Sequence, residues 1–334
     1  MDDRSKVFSQ FLQKAHGRQE SDPEPEVVRP EAEPAAPTST QNKTAMPSAK
    51  RLILSATSKG GVGKSYVTVN LIEWLRSIEA PFIAFDPDWC NSTLTRFYEE
   101  AEFIDISEEV HLDNVIRAFE RSDLVVADGV GSLQMKFIDW LEETRVFEMR
   151  EELGLEITLV VIIEEDKETV FQAGQAAKRV GNNANWLVVR NLKTSPVTEI
   201  YDGSNARKEL LALGAREITI ERLPWNLNSM LQKSSKSIGG LIDDDSVFFL
   251  ERQRLRSYQQ RLFEEFAGAR DILLPESQIH LAAPTPPPVA EPELAVESAP
   301  EPEPETEAAD AASQQSAAAP VGAPARPRIP PKDV

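Results

Sequence analysis

The sequence predicts an α/β fold: a mostly parallel central sheet with helices on both faces. Three observations point there. Short apolar runs alternate with longer helical stretches through the middle of the chain. The runs are close to continuously apolar, as in Leu159-Val160-Val161-Ile162-Ile163, which suits strands covered on both sides. The polar residues of chemical interest fall at the carboxyl ends of these runs, where such sheets hold ligands.

The first strand is expected over 51–56. It leads into Ser58-Lys59-Gly60-Gly61-Val62-Gly63-Lys64-Ser65. Glycines let backbone N–H groups turn inward around phosphate oxygens, with no side chain in the way. Lys64 is spaced to reach the terminal phosphates and the Ser65 hydroxyl to ligate Mg²⁺. A helix over 65–78 adds its positive N-terminal end. The stretch Lys59 to Tyr66, including Gly60, Gly61, Val62 and Gly63, is therefore the expected nucleotide-binding segment. The strict phosphate-loop pattern places glycine at position 58. This chain has Ser58 there and an extra lysine, Lys59, next to it.

Further strands are expected over 81–85, ending at Asp86, and over 124–127, ending at Asp128. Another spans 157–163, followed by a helix over 167–180. Strands over 186–190 and 217–221 end at Asn191 and before Leu223-Pro224. A long amphipathic helix is expected over 245–269. Trp225 either stacks beside the ligand or, as favoured, sits in the core. No internal repeat is visible.

Composition sets the outer limits. The chain has 334 residues and a net charge of −19. Residues 20–48 and 275–334 are rich in Pro, Ala, Glu and Ser and contain no Phe, Tyr or Trp. Such segments bury too little apolar surface to offset chain entropy. The expected organisation is a largely disordered 1–49, one domain over 50–272, and a disordered Pro/Ala/Glu-rich tail over 273–334. A short amphipathic helix over 3–15 carries Val7, Phe8, Phe11 and Leu12 on one face, to dock on a partner or the domain, or to fray without a role. The folded part carries about −10, the tail about −7 and the N-terminal segment about −2. An acidic domain does not draw in DNA by its bulk field. Lys178-Arg179, Lys193, Arg207-Lys208, Lys233 and Lys236 are either a local basic strip or lysines and arginines scattered on solvated faces. The single cysteine, Cys90, and the lack of an apolar leader lead to an expected cytoplasmic location with no transmembrane segment. The three histidines are too far apart in sequence to suggest a metal cluster.

Asp86-Pro87-Asp88 places two carboxylates one residue apart beside the phosphate loop. One can hold a water bound to a metal, and the other can orient an attacking water. The plain alternative is a turn in which aspartate caps the next helix. Asp123–Gly131 is an apolar strand ending in an acid, which fits a Walker B segment with Asp128 facing the Mg²⁺ hydration shell. A buried strand ending in a solvent-facing aspartate is the alternative there.

The loop Lys59-Gly60-Gly61-Val62-Gly63-Lys64-Ser65 resembles the deviant Walker A loop of the ParA/MinD superfamily of ATPases. The resemblance extends over 50–272. It implies a P-loop NTPase fold of SIMIBI type, with ATP and Mg²⁺ as cofactors. It implies an ATPase, slow without a partner, that dimerises on binding ATP. Lys59 would act in trans, reaching the nucleotide held by a second subunit. Asp86 would support the Mg²⁺ shell and Asp88 position the attacking water, so Lys59 and Asp88 carry the catalysis and Ser65, Asp86 and Asp128 serve the metal. Asn191 would read the adenine edge, for which an amide has the right donor and acceptor; a simple turn residue is the other reading. Pro224 would contact adenine through the main chain. The family often has prolines after the Walker B aspartate, and here there are none.

Within the superfamily, Lys64-Ser65-Tyr66-Val67, Asp86-Pro87-Asp88 with Asn91-Ser92-Thr93, and Tyr201-Asp202-Gly203-Ser204 followed by Arg207 are similar to the TraL/StbB-like group of plasmid transfer and stability ATPases. That implies work in plasmid mobilisation, DNA partition or positioning of a cytoplasmic cargo, with a protein partner at the switch surface or the chain ends. The Pro-rich tail, with its basic tip around Arg326 and Arg328, is either a docking peptide or a solubilising tether. Two other classes remain open: an ATP-dependent synthetase or ligase of the same fold, and a scaffold that binds nucleotide without hydrolysing it.

Overall fold

The structure is a computed structural model, and it describes residues 50–87, 93–106, 108–129 and 134–282. The expected helix over 3–15, the tail past 282, Asp88, Cys90 and Gly131 lie outside the described residues. Seven strands form one sheet in the order β3 (Glu102–Phe103), β2 (Ile83–Asp86), β4 (Leu124–Ala127), β1 (Lys50–Ser55), β5 (Leu155–Ile163), β6 (Asn185–Asn191) and β7 (Arg216–Ile220). Every neighbouring pair is parallel. The chain leaves β1 towards one edge of the sheet, returns at β4, and then builds outward from β5 on the other side. β1 therefore lies at the centre, and its carboxyl end opens where the winding reverses.

Strand residues alternate between two apolar layers, as the period of two requires. Leu52, Leu54, Leu159, Val161 and Val188 enter one layer, while Ile53, Val160, Ile162, Leu187 and Val189 enter the other. The first layer is closed by α3 (Glu109–Arg117), α4 (Gln134–Glu143), α5 (Val146–Leu153), α6 (Lys167–Val180), α7 (Glu199–Asp202) and α8 (Asn205–Ala212). The second is closed by α1 (Lys64–Ser77), α9 (Trp225–Lys233), α10 (Ile238–Ile242), α11 (Phe249–Gly268) and α12 (Arg270–Leu273). The short α2 (Thr93–Phe97) packs Leu94 against Val69 and Ile72 of α1. This is the doubly covered parallel sheet that the uninterrupted apolar runs predict.

α11 runs antiparallel to β7. The Tyr258 hydroxyl donates to the carbonyl of Glu221, just past the end of β7, while Arg216 at its start pairs with Asp271 at 2.7 Å. The packed chain continues past 272. Leu273, Leu274 and Ala282 are buried, the buried Arg51 donates to the carbonyl of Asp271, and the Thr158 hydroxyl donates to that of Ile272. The strand β3 has only two residues, too short to register as an apolar run. Trp225, expected in the core, is instead 76% exposed at the start of α9, where Leu227 two residues on takes the inward position.

Candidate functional site: a phosphate loop between two tethers

The segment after β1 is built to wrap an anion. Gly61 and Gly63 have φ of +74° and +94°, in the left-handed region that side chains disfavour. A Cβ on Gly63 would also meet the Nδ2 of Asn191 at 2.9 Å, so glycine is required there twice over. Gly63 is the N-cap of α1 and offers no side-chain oxygen to the helix's first turn. The leading N–H groups of α1 thus face the loop without a capping side chain, which is the geometry of an anion site at a helix N-terminus. Thr57 anchors the start of the loop by accepting the Ile162 N–H at 2.7 Å.

Lys64 is buried and folds back across the loop, its Nζ donating to the carbonyl of Lys59 at 2.6 Å. Burial lowers its pKa, and the nearby Asp128 carboxylate works the other way. Asp128, buried just past β4, accepts from the Thr68 hydroxyl at 2.8 Å and from the Gly129 N–H at 2.8 Å, and is hydrogen-bonded to Ser65. Burial pushes its carboxyl pKa up. The Ser65, Thr68 and Gly129 donors oppose that rise, and the neighbouring charge of Asp86 adds to it. The strand-end acid, the loop serine and the loop lysine therefore share one small space, as the sequence predicts.

Asp86 is fully buried at the end of β2. Its Oδ2 accepts the Leu94 N–H at 2.8 Å and the Thr95 N–H at 3.1 Å. The carboxylate is thus a cap on α2, the plainer of the two roles its sequence context allowed, while its charge still acts on Asp128. Among the described residues there is no group of three or more His, Cys, Asp or Glu side chains able to hold a metal. The donor set of Ser65, Asp128 and Asp86 instead suits a hard cation brought in on phosphate oxygens, with the carboxylates acting through water.

Lys59 lies on the other flank of the loop. Its Nζ pairs with Asp166 at 2.8 Å and approaches Glu168 at 3.9 Å, and its N–H donates to the side chain of Gln172 at 3.0 Å. Asp166 is the N-cap of α6 and accepts the Glu168 and Thr169 N–H groups. The hydrogen bond to Asp166 raises the Lys59 pKa and lowers that of Asp166. The Asp-x-Glu-Thr sequence at 166–169 does announce a helix start. Nothing in it announces that the acid meets a lysine 107 residues earlier.

Asn191, at the end of β6, is buried. Its Nδ2 donates to the carbonyl of Val62 at 2.8 Å, and its Oδ1 accepts the Lys193 N–H at 3.1 Å. The Lys193 Nζ in turn donates to the carbonyl of Gly61 at 3.2 Å. A cavity of about 360 Å³ opens beside this brace and beside Gly63, between Tyr66 on α1, the end of β7, α9 and Tyr258 on α11. The Tyr66 hydroxyl donates to that of Tyr258 at 2.9 Å. Pro224 is the N-cap of α9, and its carbonyl accepts the Asn228 N–H. The cavity is lined by the adjacent Leu223.

Several of the proposed strip cations are neutralised locally. Arg179 pairs with Asp139 and Glu142, Lys178 with Glu209, Arg207 with Glu217 and Lys236 with Asp244. This supports the scattered-cation reading. No helix among the described residues is long and apolar enough to cross a membrane.

No family model matches the chain, and no curated protein matches it. Among solved structures it is similar to the MinD cell division protein of Aquifex aeolicus, at 14% identity and a TM-score of 0.37, over 64% of this chain and 97% of that one. It is also similar to a chain of the MinC:MinD cell division protein complex of the same organism, at 15% identity and a TM-score of 0.36, over 64% of this chain and 96% of that one.

Proposed function

We propose that this protein is an Mg²⁺-dependent ATPase of the ParA/MinD type, a switch that dimerises with ATP and relaxes after hydrolysis. The observation that carries the reading is the loop itself: two left-handed glycines, an uncapped helix start, and Lys64, Ser65 and Asp128 converging behind it. The loop N–H groups and Lys64 bind the phosphates, and Ser65 and Asp128 face the cation. When bound, Mg²⁺ neutralises phosphate charge. Asp88 orients the attacking water, and Lys59 leaves Asp166 to meet the nucleotide of a second copy.

The tethering of Lys59 supports the last step. In one chain its ammonium is held by Asp166 at the start of α6 and its backbone N–H by Gln172. A lysine with no task on its own loop fits one that completes a neighbour's site. Plasmid mobilisation, DNA partition or cargo positioning would follow from a partner recruited to the dimer. The location in this reading is the cytoplasm.

Light scattering with Mg²⁺ and ATP, with ADP, or without nucleotide tests the reading when phosphate release is followed in parallel. A dimer only with ATP, with slow release, is the expected result. A monomer throughout, turning over rapidly when a small acceptor molecule is supplied, would move the protein to the synthetase class. Binding without any release would make it a nucleotide-dependent scaffold.

A further inference from the structure

We propose that the N-terminal segment 3–15 docks on the domain of its own chain at the start of α11, where Val7, Phe8, Phe11 and Leu12 cover Phe248, Phe249 and Leu250.

The first observation is an apolar surface that the fold itself does not use. Phe248, Phe249 and Leu250 are consecutive, and they are 63%, 56% and 47% exposed. Single exposed apolar residues are ordinary, but three large ones side by side mark a surface that something covers. Neither the helix nor the core asks for them. The inward face of α11 is carried by Leu255, Tyr258, Leu262 and Phe266. Phe248 stands at the N-cap, where a side-chain oxygen would serve the helix and a phenyl ring cannot.

The second observation is charge. The exposed Asp243 precedes the patch, and the exposed Arg254 and Arg256 follow it along α11. None of these three side chains has an ion pair or hydrogen bond among the described residues. Arg254 is four residues past Leu250 and Arg256 seven past Phe249, so each shares a helix face with a patch residue. The segment carries matching charges in reverse order. Asp2 and Asp3 lead its apolar residues, and Lys14 and Arg18 trail them. Laid antiparallel to α11, it sets Lys14 and Arg18 beside Asp243 and sets Asp2 and Asp3 beside the arginines. With Arg4 and Lys6 it has four cations against two acids, so the acidic domain also attracts it as a whole.

The third observation is reach. α11 has 20 residues, about 30 Å, and it runs antiparallel to β7. Its start therefore lies past the carboxyl ends of the strands, whereas Lys50 opens β1 at the amino ends. Three strand spacings separate β1 from β7, about 14 Å. The two displacements combine to about 33 Å. Residues 16–49 join the segment to β1, and a chain of that length spans about 30–35 Å on average. A tether matched to its span gives an effective concentration in the millimolar range, about a thousandfold above a micromolar solution of free molecules. A contact too weak to hold two copies together is thus populated within one chain, which favours the chain's own segment over a second copy.

The test is a photo-crosslink from the segment. Phe11 is replaced by p-benzoylphenylalanine in the full chain, which is irradiated without nucleotide at about 1 μM, far below the effective concentration of the tether. The crosslinked peptides are mapped by mass spectrometry. The expected result is crosslinking within one chain to residues 243–256. Phe248→Ser combined with Phe249→Ser should lower the ratio of docked to free segment about tenfold, the loss of two partly covered phenyl rings. Phe8→Glu, which lies outside the folded domain, should lower it similarly and decides alone if the double variant does not fold. Crosslinks that fall elsewhere in the domain overturn the inference. So do crosslinks at 243–256 that join two chains, which would make a second copy the occupant. No crosslink at all, or a yield unchanged by Phe8→Glu, overturns it too and leaves the patch to a different protein.

Discussion

Lys59 and Lys64 stand five residues apart on one loop, and the fold treats them in opposite ways. Lys64 is buried, with its pKa pushed down by loss of water, and it bonds to the loop's own backbone. Lys59 is only part-buried, its pKa is pushed up by a carboxylate partner, and that partner belongs to another helix. The first is pre-organised for a ligand inside its own chain. The second is parked. Two lysines that the motif presents as a pair are divided by tertiary packing into one held by its own loop's backbone and one held by a separate helix.

Lys64→Ala should show the largest effect. It removes the buried cation from the site, and ATP affinity should fall about a hundredfold, the scale of a charge-assisted hydrogen bond lost at a partly desolvated site. Calorimetry with Mg²⁺ATP reads this directly, and affinity within threefold of wild type would break the comparison. Gly63→Ala comes next. The positive φ and the 2.9 Å approach to Asn191 predict a stability loss of about 1–3 kcal/mol. The same change should loosen the loop, so denaturant unfolding and phosphate binding should both worsen.

Lys59→Ala should leave ATP binding by the single chain within about twofold, as expected for a side chain at the surface. ATP-dependent dimerisation should disappear. Light scattering that still shows an ATP dimer would end the in-trans assignment. Asp166→Asn is the milder companion. It releases Lys59 without removing it, so dimerisation should need less ATP, while the melting temperature moves by no more than about 2 °C because the pair is partly open to solvent.

The two acids of the site should respond to pH with opposite signs. The Asp166 pKa is depressed in the fold. Its contribution is present above the ordinary aspartate value of about 3.9 and is lost as pH falls through the folded value. The Asp128 pKa is raised. Its contribution is fully present below about 3.9 and is lost as pH rises through the folded value, so the ionised carboxylate is a cost to the ligand-free fold at neutral pH. Urea titrations from pH 3 to 7 should therefore show a flattened acid limb in Asp166→Asn and a steeper one in Asp128→Asn. Equal slopes in the two variants would contradict the contrast.

Much of this was legible from the chain. The strands β4 and β5 and the helix α6 fall where the apolar period places them. The loop's glycines and Lys64 were legible because a phosphate cradle needs those residue types in sequence. Trp225 was misread because aromatic character says nothing about which side of a helix start faces inward.

The sequence by itself determined the layered parallel sheet and the position of the phosphate loop, since both are written in local spacing: period two in the strands and glycine, lysine and serine at fixed offsets. Only the tertiary structure decided which partner each side chain meets. Asp86 caps α2, Asp166 holds Lys59, and Asn191 braces Val62 across 129 residues of chain. Those contacts depend on strand order and on which helix lies over which strand end, and no local stretch of residues carries that information.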